Sequence, residues 1–267
     1  MTALAAPVQS WPSKIVPPAA GDLAEIFSAI QGEGPFVGER HLFIRTGGCP
    51  FRCHYCDTPE ALIPAADCLV ESPSASRKFR KVKNPVTPEA LRALAGEFLA
   101  TDGVHRAVTL TGGEPLWQAG YLARALPLLR DFGRRIYLET AGAHPGELKQ
   151  VLEHVDVVAM DLKPPSASAL KPLWSAHREF MRIALVKELI VKIVVTRKTT
   201  REDLIQARDL VAEVDKTVPV ILQHVTPMWK VRVSPTVAQL LGWQALMAER
   251  LDRVRVIPQM HRMLGDR

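Results

Sequence analysis

Over most of its length the chain alternates short runs of β-branched and other apolar residues with longer stretches whose apolar positions recur at helical spacing. The short runs fall at residues 41–46, 107–111, 135–140, 155–162, 189–196, 219–225 and 253–258, and helices fill the intervals. Helix starts are marked by a hydroxyl residue ahead of the first turn: Thr87 before Pro88, Thr200 before Arg201 and Glu202, and Ser234 before Pro235. This is the pattern of parallel strands joined by crossover helices, and it predicts an α/β fold, a partial or full (β/α) barrel. In such a barrel the residues just beyond the carboxyl ends of the strands carry the chemistry. Two segments lack periodicity: a tail over 1–20, expected to be flexible, and residues 59–86, which read as an insertion in a single domain spanning 21–267.

Composition narrows the class. With 267 residues, 47% hydrophobic and 23% charged, the chain can bury one large core. No apolar run approaches the roughly 18–20 residues of a membrane span, and the N-terminal stretch has no signal-peptide apolar centre, so a cytoplasmic protein is expected. Much of the net charge of +6 sits in Arg77, Lys78, Arg80, Lys81 and Lys83. No aromatic residues interleave with them in a recognition pattern, which favours a solvated face over a nucleic-acid site.

The cysteines change the picture. Three of the four, Cys49, Cys53 and Cys56, lie within eight positions in a Cys-x3-Cys-x2-Cys loop that directly follows the 41–46 strand. In a reducing compartment such clustering reads as metal ligation rather than disulfide bonding. Three thiolates can hold three irons of a four-iron cluster and leave the fourth iron open to another ligand. The alternative is a closed zinc site with His54 or Cys68 as fourth ligand, although the spacing departs from paired Cys-x2-Cys knuckles. Cys68 otherwise reads as an ordinary thiol.

The loop resembles the signature of the radical S-adenosylmethionine superfamily, whose members bind the methionine end of the cofactor at the open iron and generate a 5'-deoxyadenosyl radical. Thr109-Leu-Thr-Gly-Gly-Glu-Pro115 resembles the superfamily's methionine-binding turn, and Tyr55 its adenine-contacting aromatic. A narrower likeness runs along nearly the whole chain. Glu25-Ile-Phe-Ser-Ala-Ile-Gln-Gly-Glu-Gly34, Arg45 and Cys56-Asp-Thr58 resemble the 7-carboxy-7-deazaguanine synthase family. Glu139-Thr-Ala-Gly142, Asp161-Leu-Lys-Pro164 with Ser166, Val191-Lys-Ile-Val-Val195, Leu222-Gln223, and Pro258-Gln-Met-His261 with Leu264-Gly265 agree with it.

That resemblance implies a partial barrel of the radical S-adenosylmethionine type and a lyase activity on the route to queuosine and other 7-deazapurines. The reaction is contraction of 6-carboxy-5,6,7,8-tetrahydropterin to 7-carboxy-7-deazaguanine with loss of ammonia. It implies a 4Fe-4S cluster on Cys49, Cys53 and Cys56, and a Mg2+ ion bound with substrate at Thr58. Tyr55, Asp57, Gly112, Gly113, Glu114, Asp161, Lys163 and Gln223 would face S-adenosylmethionine. Ile30, Gln31, Gly32, Glu33, Arg45 and Thr111 would face substrate, with Arg45 on its carboxylate. No acid or base catalyst is assigned, because the cofactor carries the radical chemistry. The resemblance also implies a homodimer and an electron donor, flavodoxin or ferredoxin, for which the basic run over 77–83 is a candidate footprint. The family's aromatics after Cys-Asp-Thr are replaced here by Pro59-Glu-Ala-Leu62, and its terminal His-Lys by His261-Arg262. Two rival readings are another radical S-adenosylmethionine enzyme, such as a glycyl-radical activase, and a non-enzymatic metal-binding or electron-transfer module.

Overall fold

The structure, a computed structural model, describes residues 19–100, 103–228 and 230–265. Its strands are β1 (Leu23–Ile30), β2 (Arg40–Thr46), β3 (Asp67–Glu71), β4 (Phe79–Lys83), β5 (Ala107–Gly112), β6 (Arg135–Thr140), β7 (Val157–Asp161), β8 (Glu188–Val195), β9 (Val220–His224) and β10 (Val254–Val256). They form one sheet in the order β10-β9-β8-β7-β6-β5-β2-β1-β3-β4. From β2 through β10 every neighbouring pair is parallel, whereas β1 runs antiparallel to β2. The edge strands β10 and β4 do not pair, so the barrel stays open.

Side chains alternate along the parallel strands, and the alternation separates two apolar layers. Leu42, Ile44, Val108, Leu110, Ile136, Leu138, Val191 and Ile193 belong to the main core with Leu91, Leu122, Phe180, Leu204 and Leu246 of the helices. Those helices are α1 (Pro88–Leu99), α2 (Ala119–Arg130), α3 (Pro145–Val151), α5 (Trp174–Ala184), α6 (Arg201–Asp215) and α7 (Val237–Ala248); two short ones, α4 (Pro165–Ser168) and α8 (Met260–Met263), follow β7 and β10. The intervening positions Ala107, Tyr137, Val157, Ile190 and Ile221 make a second, inner layer. Parallel strands are covered on both faces, which is why their sequences read as nearly unbroken apolar runs.

Two of the expected helix starts hold as caps. Thr87 Oγ1 accepts from the Ala90 amide at 3.2 Å and Thr200 Oγ1 from the Asp203 amide at 3.3 Å. The third is displaced: α7 begins after Thr236, where Thr236 and Gln239 form a capping box, and Ser234 Oγ instead donates to Val225 O at 2.9 Å. Residues 59–86 are not one irregular loop. They hold a short 3-10 turn, Pro59–Leu62, and the antiparallel hairpin of β3 and β4. The hairpin escapes pattern reading because β4 is an edge strand with three exposed positions among five, in the polar style by which edges resist pairing. Strand β1 was also not anticipated. Of the tail, residues 1–18 lie outside the described residues, and among those described no helix is long and apolar enough to cross a membrane.

Candidate active site

A cavity of about 190 Å³ opens at the carboxyl ends of the parallel strands, and every residue assigned above to cluster, cofactor, magnesium or substrate lines it. The segment after β1 arrives differently. Because β1 is antiparallel to β2, Gln31, Gly32 and Glu33 leave from the opposite rim and reach inward to β6, β8 and β9.

The cysteine loop leaves β2 at Thr46 and packs on the Gly-Gly-Glu turn that ends β5. A Cβ on Gly113 would sit 2.2 Å from Gly48 O, so only glycine permits this approach. The Glu114 amide donates to Gly48 O at 2.9 Å and closes the contact. The Glu114 carboxylate accepts from Thr140 Oγ1 at 2.7 Å and from the amides of Ala141 and Leu116 at 2.7 and 3.1 Å. Burial raises its pKa against those donors, and one of its acceptor sites stays open for an ammonium.

The three clustered thiols are free and line the cavity. Burial pushes Cys49 up to about 12 and Cys53 up to about 11, and raises Cys56 against hydrogen bonds from Thr58. A cationic metal at these sulfurs reverses that preference by displacing the thiol protons. The Phe51 amide already points at Cys49 Sγ, at 3.4 Å. The zinc alternative fits poorly: His54 is exposed and Cys68 is fully buried in the outer core with Tyr121, and neither lines the cavity.

On the cofactor side, Lys163 Nζ is 2.7 Å from Asp161 Oδ2, 3.5 Å from Tyr55 OH and over the Tyr55 ring at 5.4 Å. Burial works to lower the Lys163 pKa, but Asp161 and Tyr55 hold it well above the ordinary value. The Lys163 amide donates to His177 Nε2 at 3.3 Å, while His177 Nδ1 meets Gly142 O at 2.9 Å. Asp161 Oδ1, Gln223 Oε1 and Arg262 Nε are buried without a partner among the described residues, and all three residues line the cavity. Buried polar atoms left in this state at a cavity wall await a ligand, so the lining fits a polar cofactor as well as a cluster.

On the substrate side, Glu33 binds Lys192, Gln223 and Gln259, and Gln31 bridges the Glu33 amide at 3.0 Å and Glu139 Oε1 at 3.1 Å. Burial alone would raise Glu33, but Lys192 and then His261 bring it down to about 2. Glu139 goes the other way, raised by burial and by Glu33. Thr111 Oγ1 donates to Glu139 Oε2 at 2.8 Å. Arg45 Nε is 2.7 Å from Glu25 Oε1; Glu25 is its one hydrogen-bonding partner among the described residues, which leaves two terminal nitrogens for a ligand. Gln223 Nε2 donates to Glu33 Oε1 at 2.8 Å, while its Oε1 has no partner among the described residues. The Thr58 side chain makes no capping bond to the turn it precedes, whose Ala61 amide donates to Thr58 O at 3.1 Å. Nearby, oxygens of Glu33 and Asp57 and a ring nitrogen of His261 lie within 4.8 Å of one another, a group already served by Lys192, Gln223, Gln259 and Arg262.

The cavity also holds residues to which no role was given: Glu139, Lys192, Gln259, His261 and Arg262. A signal for two of them was present. Once the inner row of each strand is identified by its period of two, Glu139 follows Tyr137 on β6, and Lys192 is the one charge between Ile190 and Val194 on β8. A charge on an inner row is costly unless paired, and so points to a site.

Residues 43–225 match the sequence model of the Radical SAM superfamily. The chain is 40% identical over 246 residues to 7-carboxy-7-deazaguanine synthase of Geobacter sulfurreducens, covering 91% of this chain and 97% of that protein. It is 33% identical to the synthase of the same name from Archaeoglobus fulgidus, covering 92% and 99%. Among solved structures it resembles QueE from Escherichia coli, with a TM-score of 0.58 and 24% identity over 91% of this chain and 95% of that one, a likeness of fold.

Proposed function

Because the chain belongs to the radical S-adenosylmethionine superfamily, and within it to the 7-carboxy-7-deazaguanine synthases, we propose that it contracts 6-carboxy-5,6,7,8-tetrahydropterin to 7-carboxy-7-deazaguanine with release of ammonia. The observation that carries the reading is convergence: Cys49, Cys53 and Cys56, the Gly112-Gly113-Glu114 turn and the Gln31–Glu33 segment line one cavity. When bound, the 4Fe-4S cluster and S-adenosylmethionine supply one-electron, hydrogen-abstracting chemistry. The protein's own residues do the rest. Glu114 would accept from the cofactor's ammonium, the Asp161–Lys163 pair would face the cofactor with Tyr55 toward its adenine, and Arg45 would take the substrate carboxylate through its open guanidinium edge. Glu33, held ionised beside Lys192, accepts from the ring's donor edge, and Glu139, which accepts from Gln31 Nε2 at 3.1 Å and Thr111 Oγ1 at 2.8 Å, holds those two side chains in place at the cavity.

The reading extends to a Mg2+ ion at Thr58, bound chiefly through substrate oxygens and water. It also extends to a cytoplasmic, homodimeric enzyme whose residues 21–267 form one domain. Reduction by an acidic flavodoxin or ferredoxin would use the basic run. By the strand pairings, Lys81 and Lys83 stand at the cluster end of β4, and both lie near Asp67, whereas Arg77 lies toward the other rim. The deciding experiment incubates anaerobically reconstituted protein with reductant, S-adenosylmethionine, magnesium and the carboxytetrahydropterin, with products read by mass spectrometry. Cofactor cleavage without any 7-carboxy-7-deazaguanine would overturn the assignment and leave another radical enzyme.

A further inference from the structure

Lys192 and the Pro258-Gln-Met-His261 segment have no part in the chemistry described so far, yet both converge on Glu33. Lys192 Nζ lies 2.5 Å from Glu33 Oε2, Gln223 Nε2 donates to Oε1 at 2.8 Å, and Gln259 Nε2 donates to the same oxygen at 3.2 Å. The Gln259 amide can face only one way. Its nitrogen also meets Asp57 Oδ2 at 3.0 Å, so it stands between two carboxylates, while its oxygen takes the Thr226 amide at 3.4 Å. A carboxylate offers about four lone-pair sites, so three donors leave Glu33 one, on Oε2.

We propose that Lys192, Gln223 and Gln259 are positioning residues that lock Glu33 as an anionic acceptor, so that the site selects a ring presenting an amino donor over one presenting a carbonyl oxygen at the same place. The inference rests on the pterin reading above and deepens it. A carbonyl set against this carboxylate has no proton to share and faces a fixed negative charge, which is the kind of mismatch that binding sites reject most strongly. The charged and titratable groups around Glu33 are Lys192 from β8, Glu139 and Tyr137 from β6, Asp57 from the cysteine loop, and His261 and Arg262 from the C-terminal segment, with Asp161 from β7 acting on Lys192. Burial is what most opposes ionisation of the Glu33 carboxyl, and the Lys192 ammonium is what most favours it. Removing Lys192 therefore leaves a carboxyl that takes up a proton as pH falls.

The test is fluorescence titration of the anaerobic holoenzyme with 6-carboxypterin and with 6-carboxylumazine, the same ring carrying oxygen in place of the 2-amino group. The unaltered enzyme is expected to prefer the pterin by at least about tenfold, without change between about pH 8 and about pH 6. Lys192→Met should shrink that preference, and shrink it further at the lower pH; Gln259→Leu and Gln223→Leu should each weaken it, and they decide the matter if Lys192→Met does not fold. The clamp is overturned if the unaltered enzyme binds both probes alike or fails to bind either, or if folded variants keep the full preference. Product formation from carboxytetrahydropterin by the unaltered enzyme is scored separately: an enzyme that makes product but does not prefer the pterin probe keeps its function and loses the clamp.

Discussion

At Arg45 two demands meet on one guanidinium. Its Nε holds Glu25 at 2.7 Å, with both side chains less than a tenth exposed, while the residue also lines the cavity. Arg45→Met removes a buried hydrogen bond between two charged groups, so it is expected to cost about 1.5–3 kcal/mol of stability as well as product. The double variant Glu25→Gln, Arg45→Met should regain much of the stability but none of the product. Urea denaturation and mass spectrometry separate the two roles, and recovery of product in the double variant would deny Arg45 any contact with substrate. His177 makes a pH prediction. Burial holds it down at about 4, and its two ring nitrogens serve Gly142 O and the Lys163 amide. The folded pKa lies below the unfolded one, so the unfolded state binds the proton first. Stability contributed by the neutral ring is complete above about pH 6.5 and drains away toward about pH 4, by about 3 kcal/mol in all. His177→Gln, uncharged throughout, should flatten the slope of urea midpoint against pH over that window.

The hairpin of β3 and β4 shows the same economy in an element. Glu71, 1% exposed, accepts from the amides of Ser28 at 3.0 Å, Ala75 at 3.1 Å and Arg77 at 2.9 Å, so a single carboxylate fastens the hairpin turn to β1. Glu71→Ala strands the buried Ser28 amide, at about 1–3 kcal/mol for a buried donor without an acceptor, and releases the amides of the exposed Ala75 and Arg77 to water, so we expect a loss of about 2–3 kcal/mol, with hydrogen exchange accelerating first in residues 72–78. Exchange that quickened evenly over the whole sheet would place the fastening elsewhere. None of this could be read from composition, because the acceptor and its donors are joined by a turn with polar, unpatterned sequence. The parallel strands were legible for the opposite reason: Val191-Lys-Ile-Val-Val195 is buried on both faces, and length and β-branching expose it. What stayed hidden at that scale was direction. Strand β1 resembles the others in burial, yet it runs antiparallel to β2, and this reversal alone delivers Gln31–Glu33 to the cavity from the far rim. The motif named those residues; only the register shows how they reach Lys192 and Gln223.

An open barrel must close its cavity with something other than strands, and here the chain beyond β10 does so. The Met260 amide donates to Gly32 O at 2.9 Å, Gln259 spans Glu33 and Asp57, and an Arg262 terminal nitrogen donates to Asp57 O at 3.0 Å. The contact is so close that a Cβ on Gly32 would lie 2.3 Å from His261 Nδ1. One short segment thus joins the substrate loop to the cysteine loop, which are otherwise delivered from opposite rims. Its residues contribute little to the main core, where Val220, Leu222 and Trp243 already seal that side of the sheet. Ending the chain at Val256 should therefore leave the sheet folded and the iron content of reconstituted protein unchanged, while opening the cavity to water. Radical chemistry tolerates water and stray hydrogen donors poorly, so the shortened enzyme is expected to cleave S-adenosylmethionine with little product, and the ratio of 7-carboxy-7-deazaguanine to 5'-deoxyadenosine should fall steeply. If that ratio held while both rates fell together, the segment would be acting on cofactor binding and not on closure, and its bridge between the two loops would be structural only.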